Sequence, residues 1–431
     1  VLLQLKGKDK GPVHINIETL FSSDFSVKTL PEERAIMKFY NNDKLPNIKA
    51  QKVCIFVGSH SKFTMELQNA IDEFCEKYNA IVLCDQTSNY KGKYRILGGL
   101  VAAQSDYDAV CKYADLYIHI GEISGSYYLF KKGIFWRVNE DGEIRDPFRL
   151  LESVFEMNEL DFFNYYNSLV SRKKNTYFDE WKMENKKIES MIEELPLSNA
   201  WMCQQTAHRL PQNSVLHLAI LNSLRSWNLF DTPNSVYSYS NVGGFGIDGC
   251  ISSCVGASLV NKQKLYFCVS GDLATFYDLN VLGNRHIGNN FRLLVSNNGT
   301  GFEMHCKGSI GSEFDYAEAD RFFCAGGHFG SQSRLLLRHF AEDLGFDYIK
   351  AETKEEYLNN IEYFVDPNLH EKPLIFEVFV NPKDDEFAYN ATKRTITSNK
   401  AVAKKVAKKV LGNKGYNSIC LLYTSPSPRD M

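Results

Sequence analysis

Two apolar runs in the second half of the chain, Leu265–Ser270 and Phe291–Ser296, stop on small or oxygen-bearing residues: Gly271-Asp272 and Asn297-Asn298-Gly299. If both runs are parallel strands, these residues stand outside the carboxyl ends, where open α/β sheets bind ligands. Residues 273–282 then read as a helix, whose first free amides, near Leu273 and Ala274, point at an anion such as a phosphate. A carboxylate in the same place repels that anion unless a cation lies between them. Asp272 therefore calls for a hard divalent cation, and Mg²⁺ takes one or two carboxylates with phosphate and water in its remaining positions. Asn298 offers an amide oxygen, and Gly299-Thr300-Gly301 a bare backbone carbonyl. Gly-Asp and Asn-Gly are also ordinary turn dipeptides. Their pairing at two strand ends, with Asp272 and Asn298 26 residues apart, favours a metal–diphosphate site.

Such residues need a parallel sheet to hold them. From Val53 onward short apolar runs alternate with amphipathic segments: VCIFVG (53–58), AIVLCD (80–85), LYIHIGE (116–122) and IFWRVNE (134–140). Between them, residues 65–78 and 107–114 carry apolar side chains at helical spacing. Residues 150–196 read as helical, closed by Pro196, and a second series follows: SVLHLAI (214–220), SVYSYS (235–240), KLYFCVS (264–270), FRLLVSN (291–297) and PLIFEVFV (373–380). Strands alternating with helices predict α/β architecture, with two doubly wound parallel sheets. After about residue 385 the pattern fails; residues 399–415 form a basic amphipathic segment, and the end, LLYTSPSPRDM, reads as sequence foreign to the protein.

With 431 residues, 44% hydrophobic and 23% charged, the chain is long enough for two or three cores. A net charge of −3 supplies no basic field, which argues against nucleic acid or an anionic membrane as partner. The eleven cysteines are scattered singly without a CxxC pair, as expected of reduced thiols in a cytoplasmic protein. Cys250 and Cys254, one helical turn apart, are read as small core residues. No apolar run reaches the ~20 residues that cross a bilayer, and the start lacks the features of a signal peptide. The chain enters within what reads as a strand, so it is expected to begin inside a larger protein.

Gly-Asp, about 25 residues, then Asn-Asn resembles the cofactor motif of thiamine diphosphate-dependent enzymes. GDLATFYDLN (271–280) is similar to its form in the branch of 2-succinyl-5-enolpyruvyl-6-hydroxy-3-cyclohexene-1-carboxylate (SEPHCHC) synthases of menaquinone biosynthesis, which shares Leu273 where most of the family has Gly. GPVHIN (11–16), Asn222-Ser223, SNVGGFGIDG (240–249) and the His-Phe of GGHFGSQ (326–332) match that branch in order, so the resemblance covers roughly residues 10–385. It implies Mg²⁺ held by Asp272, Asn298 and the carbonyl of Thr300, and thiamine diphosphate contacted by Ser223, Asn241, Ile247, Gly271, Asp272, Leu273, Ala274 and Asn298. Ile247 would bend the cofactor into its V shape, Ser223 would lie near the reacting carbons, and His328 is a weak candidate by position for proton transfer.

The implied reaction is decarboxylation of a 2-oxo acid with transfer of the carbanion to an acceptor, in a homodimer or homotetramer. The domains expected are the end of a pyrimidine-binding domain (1–20), a linker (21–50), a central Rossmann-like domain (51–150), a helical connector (151–196), a diphosphate- and Mg²⁺-binding domain (197–385) and a tail (386–431). Most of the pyrimidine-binding domain, with its catalytic Glu, is missing, so the chain is expected to be a partial enzyme. The branch's basic residues for substrate carboxylates are also lost. Its Gly-Lys-Arg corresponds to Gly125-Ser126-Tyr127, one Arg to Val242 and another to Trp227, with Arg225 nearby. Charge-assisted contacts of this kind contribute about 1.5–3 kcal/mol each, so a smaller or less acidic 2-oxo acid is expected. Two alternatives stand beside this reading: a decarboxylase or acetolactate synthase-like enzyme on a different 2-oxo acid, and a non-catalytic cofactor-binding homologue.

Overall fold

All nine apolar runs form strands in the computed structural model, which describes residues 34–396 apart from 127, 129, 170–173, 307–308 and 329–331, with a few isolated earlier positions. GPVHIN (11–16), apart from Pro12, His14 and Asn16, and the basic segment 399–415 lie outside the described residues, as do Tyr127 and part of GGHFGSQ.

The first sheet contains β1 (Met37–Tyr40), β2 (Val53–Val57), β3 (Ala80–Cys84), β4 (Arg95–Leu97), β5 (Leu116–Ile120), β6 (Ile134–Val138) and β7 (Leu151–Glu156). They lie in the order β1-β7-β6-β5-β2-β3-β4, all parallel. The second contains β8 (Val215–Leu218), β9 (Tyr237–Ser240), β10 (Tyr266–Gly271), β11 (Phe291–Asn297), β12 (Asp347–Ala351) and β13 (Leu374–Phe379). Its order is β12-β13-β11-β10-β8-β9, again parallel. Strands such as β2, β3 and β5 are buried at every position, as the continuous apolar runs require of a sheet covered on both faces. Each sheet carries apolar clusters on its two sides. The Met65–Tyr78 helix is capped by Thr64, whose hydroxyl accepts from Leu67 N, and ends on Asn79 in the left-handed conformation.

Several segments differ from the sequence expectation. Leu151–Glu156, read as part of a helical stretch, is β7, and Met37–Tyr40, read as linker, pairs with it as β1. Their charges obscured the pattern: Lys38 Nζ and Glu156 Oε2 pair at 2.6 Å with both side chains almost fully buried, so a charged residue at each strand is neutralised by its neighbour. The short β4 and the mixed-polarity β12 were also not anticipated. Residues 107–114 make only a 3₁₀ turn at Val110–Lys112, of which Cys111 alone is buried; so short a segment needs a buried face to be helical. The last helix, Pro382–Lys393, continues past residue 385.

The two sheets meet through buried polar contacts. Gln86 N donates to Asn228 Oδ1 (2.8 Å), and Gln86 Nε2 donates to the carbonyls of Trp227 and Phe230 at 3.1 and 3.0 Å. Gln104 Nε2 donates to the Thr392 carbonyl at 2.8 Å. At Gly99 the backbones of the two units come close, since a Cβ there would lie 2.2 Å from the Asn228 carbonyl oxygen. Gly99→Ala is therefore expected to destabilise the protein by about 1–3 kcal/mol, read as a lowered urea midpoint; an unchanged midpoint would contradict this close approach.

Candidate functional site at the carboxyl ends of the second sheet

Four consecutive strands, β11-β10-β8-β9, present the candidate residues at one edge. Asp272 follows β10, Asn298 and Thr300 follow β11, Ser223 follows β8, and Asn241 follows β9. The order reverses between β8 and β10, because β8 leads to β9 on one side while β10 and β11 build the other. A crevice opens at such a switch point.

The β10 strand turns directly into the helix Asp272–Tyr277, and the expected helix 273–282 divides here into that short helix and a 3₁₀ segment, Leu279–Gly283. Gly271 is in register with Ser296 on β11, which sets the two strand ends side by side. Asp272 is 2% exposed. Its Oδ2 accepts from the Gly299 amide at 3.0 Å and lies 2.7 Å from His328 Nε2. Gly299 has φ of +76°, a backbone that side-chain-bearing residues adopt only under strain, and this turn aims its N–H at the carboxylate.

Asn298 divides its amide between two neighbours. Nδ2 donates to Asp385 Oδ2 at 3.0 Å, and Oδ1 accepts from Thr300 N at 3.2 Å. Thr300 Oγ1 donates to Asp320 Oδ1 at 3.0 Å, while its carbonyl accepts from Phe302 N at 2.9 Å and keeps a second lone pair. Ile247 packs with Ala219, Cys250 and Ala274, joining the loops after β8, β9 and β10. Asn241 Oδ1 accepts from Ser253 Oγ at 3.1 Å. Ser223 is buried in the Asn222–Trp227 helix, which begins behind Leu221 at a strained φ of +68°. Leu273 is half-buried beside the buried Ala274.

The sequence reading missed a set of acids behind this edge. Asp385 Oδ1 accepts from Asn199 N at 2.7 Å, and Glu377 on β13 accepts from Asn297 Nδ2 and the Tyr348 hydroxyl, both at 2.7 Å. Burial pushes the Glu377 carboxyl up and the Asp385 carboxyl up to about 6, with the nearby Asp272 charge adding to both shifts. Asp384-Asp385 in the first turn of a helix reads in sequence as macrodipole compensation, so no local signal marked its role.

The donor chemistry fits a hard cation: carboxylate, amide and carbonyl oxygens at one edge, in a neighbourhood crowded with negative charge. Among the described residues no three His, Cys, Asp or Glu side chains cluster as a metal site. There is also room for a ligand, since a Cβ built at Gly271 or Gly243 meets nothing within 4 Å. The positions read as a lost basic clamp have no uncompensated charge where the structure describes them. Trp227 and Val242 are buried, and Arg225 pairs with Glu303. Arg225 and Ser126 line a cleft of about 640 Å³ between the two sheets. The ten described cysteines are buried and free, and no described helix is long and apolar enough to cross a membrane.

The loop geometry makes a direct prediction. Gly299→Ala is expected to cost about 1–2 kcal/mol of stability, whereas Gly299→Asn, which tolerates this backbone better, costs less. Equal urea midpoints for the two variants would refute the left-handed turn.

No protein-family model matches the chain. It is 29% identical over 407 residues to the SEPHCHC synthase of Bacteroides fragilis, covering 89% of this chain and 70% of that protein. The Phocaeicola vulgatus synthase is 26% identical over 412 residues, and that of Christiangramia forsetii is 32% identical over 196 residues, 45% of this chain. Among solved structures, a thiamine diphosphate-dependent 4-hydroxybenzoylformate decarboxylase of Rhodococcus jostii RHA1 shares the fold with a TM-score of 0.54 at 15% identity, over 77% of this chain and 62% of that one. The chain is thus a sequence relative of the SEPHCHC synthases that carries the fold of a thiamine diphosphate-dependent enzyme.

Proposed function

We propose that the chain is the diphosphate-holding part of a thiamine diphosphate- and Mg²⁺-dependent enzyme that decarboxylates a 2-oxo acid and passes the remaining fragment to an acceptor, as the SEPHCHC synthases it resembles do. The observation that carries this reading is the buried Asp272 carboxylate, met at one strand edge by the Asn298–Thr300 turn. Thiamine diphosphate, when bound, supplies the electron sink that the decarboxylation needs. Asp272, the Asn298 amide oxygen and the Thr300 carbonyl hold the cation, and Gly271, Leu273 and Ala274 line the diphosphate. Asn241 would stand beside the diphosphate, Ile247 would pack against the cofactor, and Ser223 would lie near its reacting end. His328 orients Asp272 through its 2.7 Å contact. The buried cysteines and absent basic field fit a cytoplasmic protein, and the site is completed by a second copy in a homodimer or homotetramer.

Substrate choice follows from charge. The positions of the relatives' carboxylate clamp are uncharged or buried here, and Arg225 is already neutralised by Glu303. A monocarboxylic 2-oxo acid, or another weakly acidic one, is therefore favoured over 2-oxoglutarate. This supports the reading as a decarboxylase or acetolactate synthase-like enzyme on a different 2-oxo acid within the same cofactor chemistry.

Two measurements test these statements. In calorimetric titration of thiamine diphosphate with Mg²⁺, Asp272→Ala is expected to weaken binding at least ~10-fold, the loss of a charge-assisted contact of about 1.4 kcal/mol or more; undiminished binding overturns the site. In kcat/KM comparisons of the enzyme, pyruvate-like acids are expected to exceed 2-oxoglutarate, and a tenfold preference for 2-oxoglutarate overturns the substrate assignment.

A further inference from the structure

We infer that Asp385 is a positioning residue for the metal site: its carboxylate fixes which edge of the Asn298 amide faces the cation. The inference rests on the cofactor reading above and adds a residue that the motif does not contain. Asp385 is 3% exposed and lies on the Pro382–Lys393 helix, outside the β10–β11 edge. Each of its oxygens has one donor. Oδ1 accepts from the backbone amide of Asn199 at 2.7 Å, and Oδ2 accepts from Asn298 Nδ2 at 3.0 Å.

A side-chain amide has two nearly isosteric edges, and only the oxygen edge ligates a hard cation. Asp385 is an acceptor only, so the Asn298 edge that faces it must be the NH₂. The oxygen is then turned to the opposite side, where it meets the Thr300 amide at 3.2 Å, in the same turn whose Gly299 N–H rests on Asp272. The arrangement cannot relax by rotating the Asp385 carboxyl, because the Asn199 donor is backbone at the start of the Asn199–Thr206 helix.

This polarity can be reversed with little change of shape. In Asp385→Asn the Asn199 amide still demands the oxygen, which leaves the new NH₂ facing Asn298. Two NH₂ groups cannot share a hydrogen bond, so Asn298 turns over at the expense of its Oδ1 contact with the Thr300 amide or is pushed out of place, and in either case its oxygen is no longer held toward the cation. Adding Asn298→Asp restores the match: one oxygen of the new carboxylate accepts from the NH₂ at 385 and the other faces the metal.

The test is titration of Mg²⁺ by calorimetry, and of Mn²⁺ by electron paramagnetic resonance, in the full chain with thiamine diphosphate, with melting temperatures recorded for every variant. Asp385→Asn is expected to weaken metal binding about 10–100-fold, the usual effect of removing an outer-sphere orienting partner. The Asp385→Asn/Asn298→Asp double variant is expected to recover affinity to within a few-fold of the parent. Parent-like affinity in Asp385→Asn overturns the inference, as does failure of the folded double variant to recover. Asp272→Ala separates the two levels. If it binds metal and cofactor like the parent, the site reading falls and this inference with it; if it is weakened while Asp385→Asn is not, this inference alone falls.

Discussion

A carboxylate buried at the end of a parallel strand must be met by donors or by a cation, and the second sheet is organised around that demand. Asp272 is almost fully enclosed, yet its contacts are a backbone amide and an imidazole. Desolvating a charge is costly unless it is paired. Two more acids, Glu377 and Asp385, stand behind it with carboxyls pushed upward by burial and by Asp272 itself. Packing this much negative charge at one edge is a structural cost, and a divalent cation of the kind proposed would offset it.

The rest of the molecule holds that edge in register. The pairing of Gly271 with Ser296 fixes how far β10 and β11 extend past each other, and a slip of one residue would turn every side chain to the other face. The Gly299 turn then brings its amide back to Asp272. The small cluster of Ile247, Ala219, Cys250 and Ala274 joins the segments after β8 and β9 to the β10 end. The first sheet contributes by buttressing: Gln86 reaches the end of the helix that carries Ser223 and Arg225, and Gln104 the helix that carries Asp385.

On the proposed reading, the uncharged positions 126, 227 and 242 change what this scaffold is suited to hold. In the proposed site, cofactor chemistry would depend on oxygens at the β10 and β11 ends, and substrate charge on side chains of other loops. The two can diverge independently, because fold and cofactor site do not dictate the substrate. Arg225 shows how: it lines the cleft, but Glu303 cancels its charge.

Much of this was legible in the linear chain. Eight of the nine strands announced themselves as short apolar runs, because a strand largely covered on both faces has little polar side to show, whereas β9 is a partly exposed edge strand whose serines alternate with aromatics. Asp272, Asn298 and Thr300 stood out because ligand loops follow strand ends. The strand-rich α/β architecture and the positions of Asp272, Asn298 and Thr300 at strand ends could be read from local pattern alone. Folding was needed to show that Lys38 and Glu156 neutralise each other where β1 and β7 pair, that Trp227 faces inward, and that Asp385, 87 residues from Asn298, grips its amide. Each of those outcomes is a pairing between groups far apart in the chain, where neither partner's local pattern records the other. Charge and hydrogen-bond complementarity arise only when folding brings the two together.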